Sequence, residues 1–194
     1  MNRCVWCNLK NPIYIKYHDE EWGKPRFDDA YLLEMLILES FQAGLSWECV
    51  LNKRENFRKA FDNFDIEKII VYDEEKIELL RTDKSIIRNK LKIKAAINNA
   101  KIFKSIQEEY VSFLAYLKQY WNGETVYDCV STKSELSDQI SADLCQRGMK
   151  FVGTTIIHSY LQAIGIINAH DEKCDMHDCT KERYFVRENS IPEK

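Results

Sequence analysis

The chain has 194 residues, of which 45% are hydrophobic and 30% are charged, an ordinary balance for a globular protein that buries a substantial core. No apolar run approaches the roughly 20 residues of a membrane-spanning helix, and the first residues lack the apolar stretch of a secretion signal, so we expect a cytoplasmic protein that does not enter a membrane. The net charge of −3 argues against a protein that binds nucleic acid through bulk charge alone.

The predicted elements are almost all helical, because only three prolines and six glycines interrupt the chain and no long alternating strand pattern is present. The first predicted helix, over 29–43, is apolar almost all round and is expected at the centre of the core. Further helices are predicted over 46–61, 65–70, 73–81, 86–106 and 109–120. After a loop over 122–133, Thr132 and Glu135 have the spacing of a capping box that opens a helix ending at Arg147. The last predicted helix spans 154–167.

The domain organisation follows from composition. Residues 1–185 are expected to form one domain, in which the middle of the chain, about 60–120, can form its own helical lobe. The chain turns polar and charged after residue 171, and we expect 186–194 to be a disordered tail.

Cysteine and histidine side chains are concentrated towards the two ends of the chain. The candidates are Cys4, Cys7, His18, His170, Cys174, His177 and Cys179. Disulfides are not expected in a reducing compartment, whereas four thiolate or imidazole ligands suit a structural Zn²⁺ site. Spacing alone leaves two ligand sets open, one of Cys4, Cys7, Cys174 and His177, and one of Cys4, His18, His170 and Cys174. The other three cysteines, Cys49, Cys129 and Cys145, are predicted to be small buried side chains.

An acidic residue, Glu39, interrupts the most apolar predicted helix. A carboxylate there is unfavourable unless it is paired or serves a site, so an exposed edge of the helix and a functional pocket are both open interpretations. Aromatic side chains occur around it in sequence, namely Trp6, Tyr14, Tyr17, Trp22 and Trp47. Aromatic faces beside an acid are what an enzyme needs to hold a base that has been flipped out of DNA.

Two further segments are candidates for phosphate contacts. The connection 150–155 between two predicted helices contains Gly153, and a tight turn of this kind aims backbone N–H groups at an anion, although most such turns are only connections. The segment 81–104 carries eight basic residues and one acid, Asp83. A solvated helix face is the favoured interpretation of this segment, and a phosphate-facing surface is the alternative.

Four long motifs stand out, at Tyr14–Gly23, Leu38–Trp47, Lys53–Asn56 and Lys150–Thr155. In these motifs the chain resembles the bacterial 3-methyladenine DNA glycosylase I family, and the resemblance extends from Arg3 to about Cys174. The family lacks the catalytic Asp that many related glycosylases carry after the hairpin, so Asp171 is given no role. Phe151 stands where commoner hairpins have a first glycine, which fits this family's own pattern.

The resemblance implies an all-α helix-hairpin-helix DNA glycosylase fold in which a zinc site joins the N- and C-terminal segments. It implies one structural Zn²⁺ per chain, bound by Cys4, His18, His170 and Cys174, and leaves Cys7, His177 and Cys179 without a role. It implies that Glu39 is the catalytic residue. It implies a base-binding pocket made of Trp47, Tyr17, Tyr14, Trp6 and Trp22. The implied contacts to DNA phosphates come from Lys150, Phe151, Val152, Gly153 and Thr154.

The implied function is base excision repair, in which a monomer flips N3-methyladenine out of double-stranded alkylated DNA and hydrolyses its glycosidic bond, leaving an abasic site. Methylation at N3 makes adenine cationic and its glycosidic bond weak, so the enzyme needs mainly to recognise and hold the base. Trp47 is expected to stack on the base and Glu39 to accept a hydrogen bond from its amino group.

Two alternatives belong to other functional classes. One is a zinc-stabilised module that binds DNA or protein without catalysis, which explains the two chain ends but not an acid beside Trp47. The other is a redox enzyme that uses Cys4 and Cys7, which needs a βαβ context that the helical pattern does not supply.

Overall fold

Ten α-helices make up most of residues 1–177, the part of the chain that the computed structural model describes. They are α1 (Pro12–Glu20), α2 (Asp29–Gln42), α3 (Trp47–Leu51), α4 (Arg54–Ala60), α5 (Ile66–Ile69), α6 (Glu74–Thr82), α7 (Lys90–Tyr110), α8 (Phe113–Leu117), α9 (Glu135–Gln146) and α10 (Thr154–Ala163). A 3-10 turn, Asp62–Phe64, follows α4, and two short strands, β1 (Val126–Tyr127) and β2 (Ile167–Asn168), pair in parallel. The predicted all-α fold is confirmed apart from this strand pair.

Helix α2 lies at the centre of the fold, as its composition predicts. Eleven of its 14 residues are buried, and it packs against α3, α7, α8 and α10. The Asp28 side chain begins the helix by accepting a hydrogen bond from the backbone N–H of Tyr31. Because α2 is surrounded, a polar residue on it faces either a partner or an internal cavity.

One contiguous cluster of buried apolar side chains includes members of all ten helices and extends from Cys4 to Cys174. Within residues 1–177, none of the helices combines the length and the apolar character that a membrane crossing requires.

Several element boundaries differ from the predicted ones. Helix α1 was not predicted, because only three of its nine residues are buried and the apolar repeat is weak. The predicted helix over 46–61 is divided into α3 and α4 at Asn52 and Lys53. The last helix ends at Ala163 because Gly165 adopts a φ of +78° and lies so close to the backbone of Lys24 that a Cβ would be 2.2 Å from its carbonyl carbon.

The capping box predicted from Thr132 and Glu135 is wrong by two residues. Ser134 is the N-cap of α9 and exchanges hydrogen bonds with Ser137. The motif is therefore present, but it begins two residues later than predicted.

The prediction that Cys49, Cys129 and Cys145 are buried is also wrong. Cys129 and Cys145 are exposed, the first in the loop after β1 and the second on the solvent side of α9, and Cys49 is half-buried.

The N-terminal segment meets the segment around Asp175. The backbone N–H of Asn2 donates to the Asp175 carboxylate at 2.9 Å, and the backbone N–H of Asp175 donates to the carbonyl of Asn2 at 3.0 Å. The N-terminal segment therefore lies beside the segment that follows β2. Cys179 and the predicted disordered tail, 186–194, lie outside the described residues.

Candidate functional site

A cavity of about 200 Å³ brings the predicted pocket residues together. Helix α1 contributes Tyr14 and Tyr17, α2 contributes Glu39, and Trp47 is the first residue of α3. The flanking loops contribute Trp6 and Trp22, and sequence reasoning missed three further lining residues, Gln42, Ser159 and Gln162. Ser159 and Gln162 lie three positions apart on helix α10 and so share one of its faces, and this spacing was the available signal.

Glu39 is the only acidic side chain in the lining of this cavity. Its residue is 3% exposed, and no group within residues 1–177 forms a hydrogen bond with its buried Oε2. Burial raises the pKa of the Glu39 carboxyl to about 8, because the charged form loses its hydration without gaining a cation. The carboxyl of the free protein is therefore mostly protonated at neutral pH.

Aromatic rings form the walls around this acid. The rings of Tyr17 and Trp47 are 5.4 Å apart, and Trp6 contacts both Tyr14 and Trp22, with centroids 5.4 and 4.6 Å away. The indole Nε1 of Trp47 is buried and has no hydrogen-bond partner in the described part of the chain. The lining of the cavity thus includes a buried acceptor, Oε2 of Glu39, and a buried donor, Nε1 of Trp47, that have no hydrogen-bond partner within residues 1–177.

A larger depression of about 670 Å³ shares Tyr17 as a lining residue. Its buried cation, Arg54, is already ion-paired, since it donates to both oxygens of Glu21 at 2.6 and 2.8 Å and to Glu34 at 2.8 Å. We therefore assign the candidate site to the smaller cavity, where a buried carboxyl that pairs with no cation of residues 1–177 lies among aromatic rings.

Four buried side chains form a second cluster, next to the cavity. One potential ligand atom from each of Cys4, His18, His170 and Cys174 lies within 4.8 Å of the other three. The Nδ1 atom of His170 is 3.4 Å from Cys4 Sγ and 3.5 Å from Cys174 Sγ, and His18 Nε2 is 3.5 Å from Cys174 Sγ. The edges of a tetrahedral zinc site with S and N ligands are about 3.3–3.8 Å long, so this cluster can hold a metal ion.

The surroundings of the cluster fit a metal as well. His18 Nδ1 is 2.8 Å from the Asp19 carboxylate, and His170 Nε2 is 3.1 Å from the carbonyl of Trp22. Each imidazole thus has an outer oxygen partner that fixes the ring with its other nitrogen towards the cluster, as metal-binding histidines usually do. Backbone N–H groups also point at the sulfur of Cys4 from Asp171, and at that of Cys174 from Met176.

The other set that spacing left open is not brought together. His177 instead places its Nδ1 2.7 Å from the carbonyl of His170, and Cys7 is buried outside the cluster.

The metal cluster and the cavity share consecutive residues. Tyr17 lines the cavity, His18 belongs to the cluster, and both lie on α1. Trp22 lines the cavity with its ring, which packs edge-on against His170 at 4.6 Å.

The hairpin between α9 and α10 is held by polar side chains that sequence reasoning missed. Fully buried Asn99 binds both backbone groups of Lys150: its Nδ2 donates to the carbonyl at 2.8 Å, and its Oδ1 accepts from the N–H at 2.9 Å. Phe151 adopts a left-handed φ of +56° and is 37% exposed. Gly153 is the N-cap of α10 and supplies no side chain, so the first N–H groups of that helix have no side-chain cap.

The basic segment 81–104 is largely neutralised. Four of its eight cations form ion pairs with acids between residues 67 and 78: Arg81 and Lys90 with Glu78, Lys94 with Glu74, and Lys104 with Glu67. Lys92 is buried. The structure therefore supports the favoured interpretation, a solvated helix face, over a phosphate-facing surface.

Comparisons with known proteins agree with one another. Residues 6–178 match the profile of a family described as methyladenine glycosylase. A DNA-3-methyladenine glycosylase 1 of Escherichia coli strain K12 is 42% identical, over 90% of this chain and 96% of its own length. A crystal structure of 3-methyladenine DNA glycosylase I superimposes with a TM-score of 0.87 at 40% identity, covering 91% of this chain and all of that one. A second, of a variant in complex with 3-methyladenine, gives a TM-score of 0.85 at 35% identity, covering 90% of this chain and 97% of that one.

Proposed function

The chain belongs to the methyladenine glycosylase family, and from this premise we propose that it removes N3-methyladenine from alkylated double-stranded DNA. The enzyme hydrolyses the bond between the base and the sugar and leaves an abasic site. One observation carries the proposal beyond the family: a buried carboxyl, with no hydrogen-bond partner for its Oε2 within residues 1–177, belongs to the lining of a cavity with aromatic walls. A flat, positively charged ligand with a polar edge gives this carboxyl a counter-charge and a donor, and gives the aromatic faces a stacking partner.

The aromatic walls provide selectivity for the methylated base. N3-methyladenine is cationic within DNA, whereas adenine is neutral, and a cation over an indole face gains about 0.5–2 kcal/mol. Trp47 stacks on the flipped base, and the tyrosines Tyr14 and Tyr17 enclose it. Loss of a cationic base produces a neutral purine, so the leaving group needs no general acid.

Glu39 recognises the charge and the amino group of the base. Its pKa of about 8 in the free protein reflects burial without a cation, and a cationic base in the cavity favours the carboxylate form. The carboxylate then accepts a hydrogen bond from the exocyclic amino group and offsets the positive charge. Neutral adenine gains less binding free energy, because it leaves the buried carboxylate without a counter-charge.

The Cys/His cluster is proposed to bind one structural Zn²⁺. Two thiolates and two imidazoles complete the four ligands of a closed site, which leaves no open position for a water or a substrate. When bound, the ion links the segment before α1 to the segment after β2, and so supports the wall of the cavity that contains Tyr17 and Trp22.

The hairpin is proposed to bind a DNA phosphate. Residues 151–154 present backbone N–H groups and the positive end of α10, Lys150 contributes its side chain, and the lack of a side chain on Gly153 lets an anion approach. With few free cations in the segment 81–104, this contact positions DNA through oriented dipoles more than through net charge. We propose that the protein acts as a monomer, with residues 1–177 working as one unit.

Release of free base from methylated DNA tests this function. The wild-type protein should release 3-methyladenine, identified by chromatography, while Glu39→Gln should remain folded and release it far more slowly. Glu55→Gln is the matched control, because this glutamate is exposed and, within residues 1–177, forms an ion pair only with Arg58. If the wild type binds methylated DNA but releases no base, the protein is a binding module and the proposal is wrong.

A further inference from the structure

Lys92, on α7, is a buried lysine that the proposed mechanism does not use. It is 7% exposed, and within residues 1–177 its ammonium group has no carboxylate partner. Instead Nζ donates to the backbone carbonyl of Phe41 at 2.8 Å and to that of Ala43 at 2.5 Å. Burial lowers its pKa. Lys90 and Lys94, on the same helix, are exposed and pair with surface acids.

The carbonyls that Lys92 binds are at the C-terminal end of α2. The last carbonyls of a helix have no partner within the helix and carry its partial negative charge. The last turn of α2 contains no basic residue of its own. The carbonyl of Gln42, between the two, accepts the backbone N–H of Leu45 at 2.6 Å. Lys92 therefore supplies, from another helix, the cation and the two donors that this helix end lacks.

The helix end leads directly into the turn 43–46, which connects the two key residues of the cavity. Glu39 lies in the last turn of α2, and Trp47 is the first residue of α3. Between them Gly44 adopts a φ of +78°, and Ser46 caps α3 by accepting the N–H of Cys49 at 3.2 Å. The conformation of turn 43–46 thus sets the position of the indole relative to the carboxyl.

Lys92 also reaches the hairpin, since its Nζ is 5.8 Å from the centre of the Phe151 ring. One ammonium group therefore contacts the end of the helix that carries Glu39 and the turn that is proposed to hold phosphate. Contacts of this kind fix the relative position of two elements that are far apart in sequence.

We propose that Lys92 is a positioning residue for base excision, which holds turn 43–46 in the conformation that places Trp47 and Glu39 in one cavity. The inference rests on the proposed excision of methyladenine. Lys92 touches neither cavity nor substrate, and it acts through the backbone carbonyls of Phe41 and Ala43.

The test compares Lys92→Met with Lys94→Met, the matched control at an exposed ion pair on the same helix. In Lys92→Met, single-turnover release of 3-methyladenine should fall by about 10- to 100-fold, the usual effect of a misplacement of about 1 Å. Hydrogen exchange of the amides in 43–46 should become faster, while exchange in the middle of α2 stays unchanged. Lys94→Met should behave as the wild type in both measurements. A folded Lys92→Met protein that releases base within twofold of the wild-type rate would overturn the proposal.

If Lys92→Met does not fold, Lys92→Arg is measured instead, because arginine keeps the positive charge and the hydrogen-bond donors. The proposal is supported if amide exchange in 43–46 and the rate of base release both match the wild type, or if exchange becomes faster and release becomes slower together. It is overturned if exchange in 43–46 becomes faster while the rate of release is unchanged, or if release becomes slower while exchange is unchanged. The wild-type assay separates this inference from the function, because a wild-type protein that releases no base contradicts the function itself.

Discussion

Burial of the Glu39 carboxyl without a cation makes the free protein less stable as the pH rises. The unfolded chain has an ordinary glutamate pKa near 4.5, and burial raises the pKa of the folded form to about 8. Below pH 4.5 both states hold the proton, so the carboxyl has no effect on folding. As the pH rises from about 4.5 to 8, the unfolded state loses its proton first, and stability falls by roughly 5 kcal/mol in total.

We therefore predict that Glu39→Gln becomes more stable than the wild type as the pH rises. The glutamine keeps the shape and does not ionise, so the difference in unfolding free energy should be small near pH 5 and several kcal/mol near pH 8. Urea unfolding of both proteins at the two pH values measures this difference. If the two proteins differed in unfolding free energy by the same amount at pH 5 and at pH 8, the folded protein would have to supply the carboxyl with water or a counter-charge.

Gly23 is a second residue at which the local geometry matters. It has a φ of +72°, and a Cβ added there would lie 3.1 and 3.2 Å from Cδ2 and Nε2 of His170. The change Gly23→Ala should therefore destabilise the fold by about 1–2 kcal/mol through its backbone angle. It should also displace a ring of the metal cluster.

Competition with a chelator measures whether displacement of the His170 ring weakens zinc binding. Gly123→Ala is the matched control, since Gly123 also has a left-handed φ, of +94°, but nothing lies within 4 Å of its added Cβ. Both variants should lose stability, and only Gly23→Ala should release zinc more readily. Equal zinc retention would show that the imidazole of His170 moves without loss of affinity.

At the level of elements, the hairpin depends on one side chain of α7. Asn99 satisfies both backbone groups of Lys150 through partly buried bonds, and a hydrogen bond of this kind contributes about 1 kcal/mol. Asn99→Ala should therefore loosen the hairpin and weaken binding of abasic-site DNA, measured by fluorescence anisotropy. Binding of free 3-methyladenine, measured by calorimetry, should not change. Asn98→Ala, which loses one bond to the carbonyl of Gly148, is the milder control. If the variant lost affinity for abasic-site DNA and for free 3-methyladenine equally, Asn99 would support the cavity instead.

The elements also show what the sequence makes predictable. Helix α2 was predicted because burial on all sides requires apolar residues at nearly every position. Helix α1 was missed because its few buried residues, among them Tyr17 and His18, serve the cavity and the cluster and leave little apolar repeat. Strands β1 and β2 have two residues each, too few for an alternating pattern.

Contacts between distant residues were the least predictable part of the site. The bonds from Lys92 to Phe41 and from Asn99 to Lys150 each join groups 51 positions apart. Neither side chain has a local signature, because a lysine or an asparagine on a helix is ordinarily solvated. The cavity residues and the cluster were accessible through the resemblance to a family, whereas spacing alone left two ligand sets open.

At the level of the whole molecule, the proposed zinc site joins two distant parts of the chain. Cys4 and Cys174 are about 170 positions apart, and an ion that binds them only in the folded state adds its binding free energy to the stability of the fold. We predict that removal of zinc by a chelator lowers the melting temperature by roughly 10 °C or more. Differential scanning calorimetry with and without chelator measures the shift, and Cys4→Ser should reproduce it. An unchanged melting temperature in both cases would contradict a structural ion.

The meeting of Asn2 and Asp175 has a consequence for chain topology. Because these residues are joined by two hydrogen bonds, one of them between backbone groups, a short peptide linker can connect them, and new termini can be opened at an exposed loop such as that around Gly123. In such a circular permutant Cys4 and Cys174 become near neighbours along the polypeptide. All four ligands of the proposed ion would then lie in one short continuous segment, which can bind the ion before the rest of the chain folds. Permutation would thus turn a zinc site that requires the whole fold into a local one, with the pocket residues unchanged.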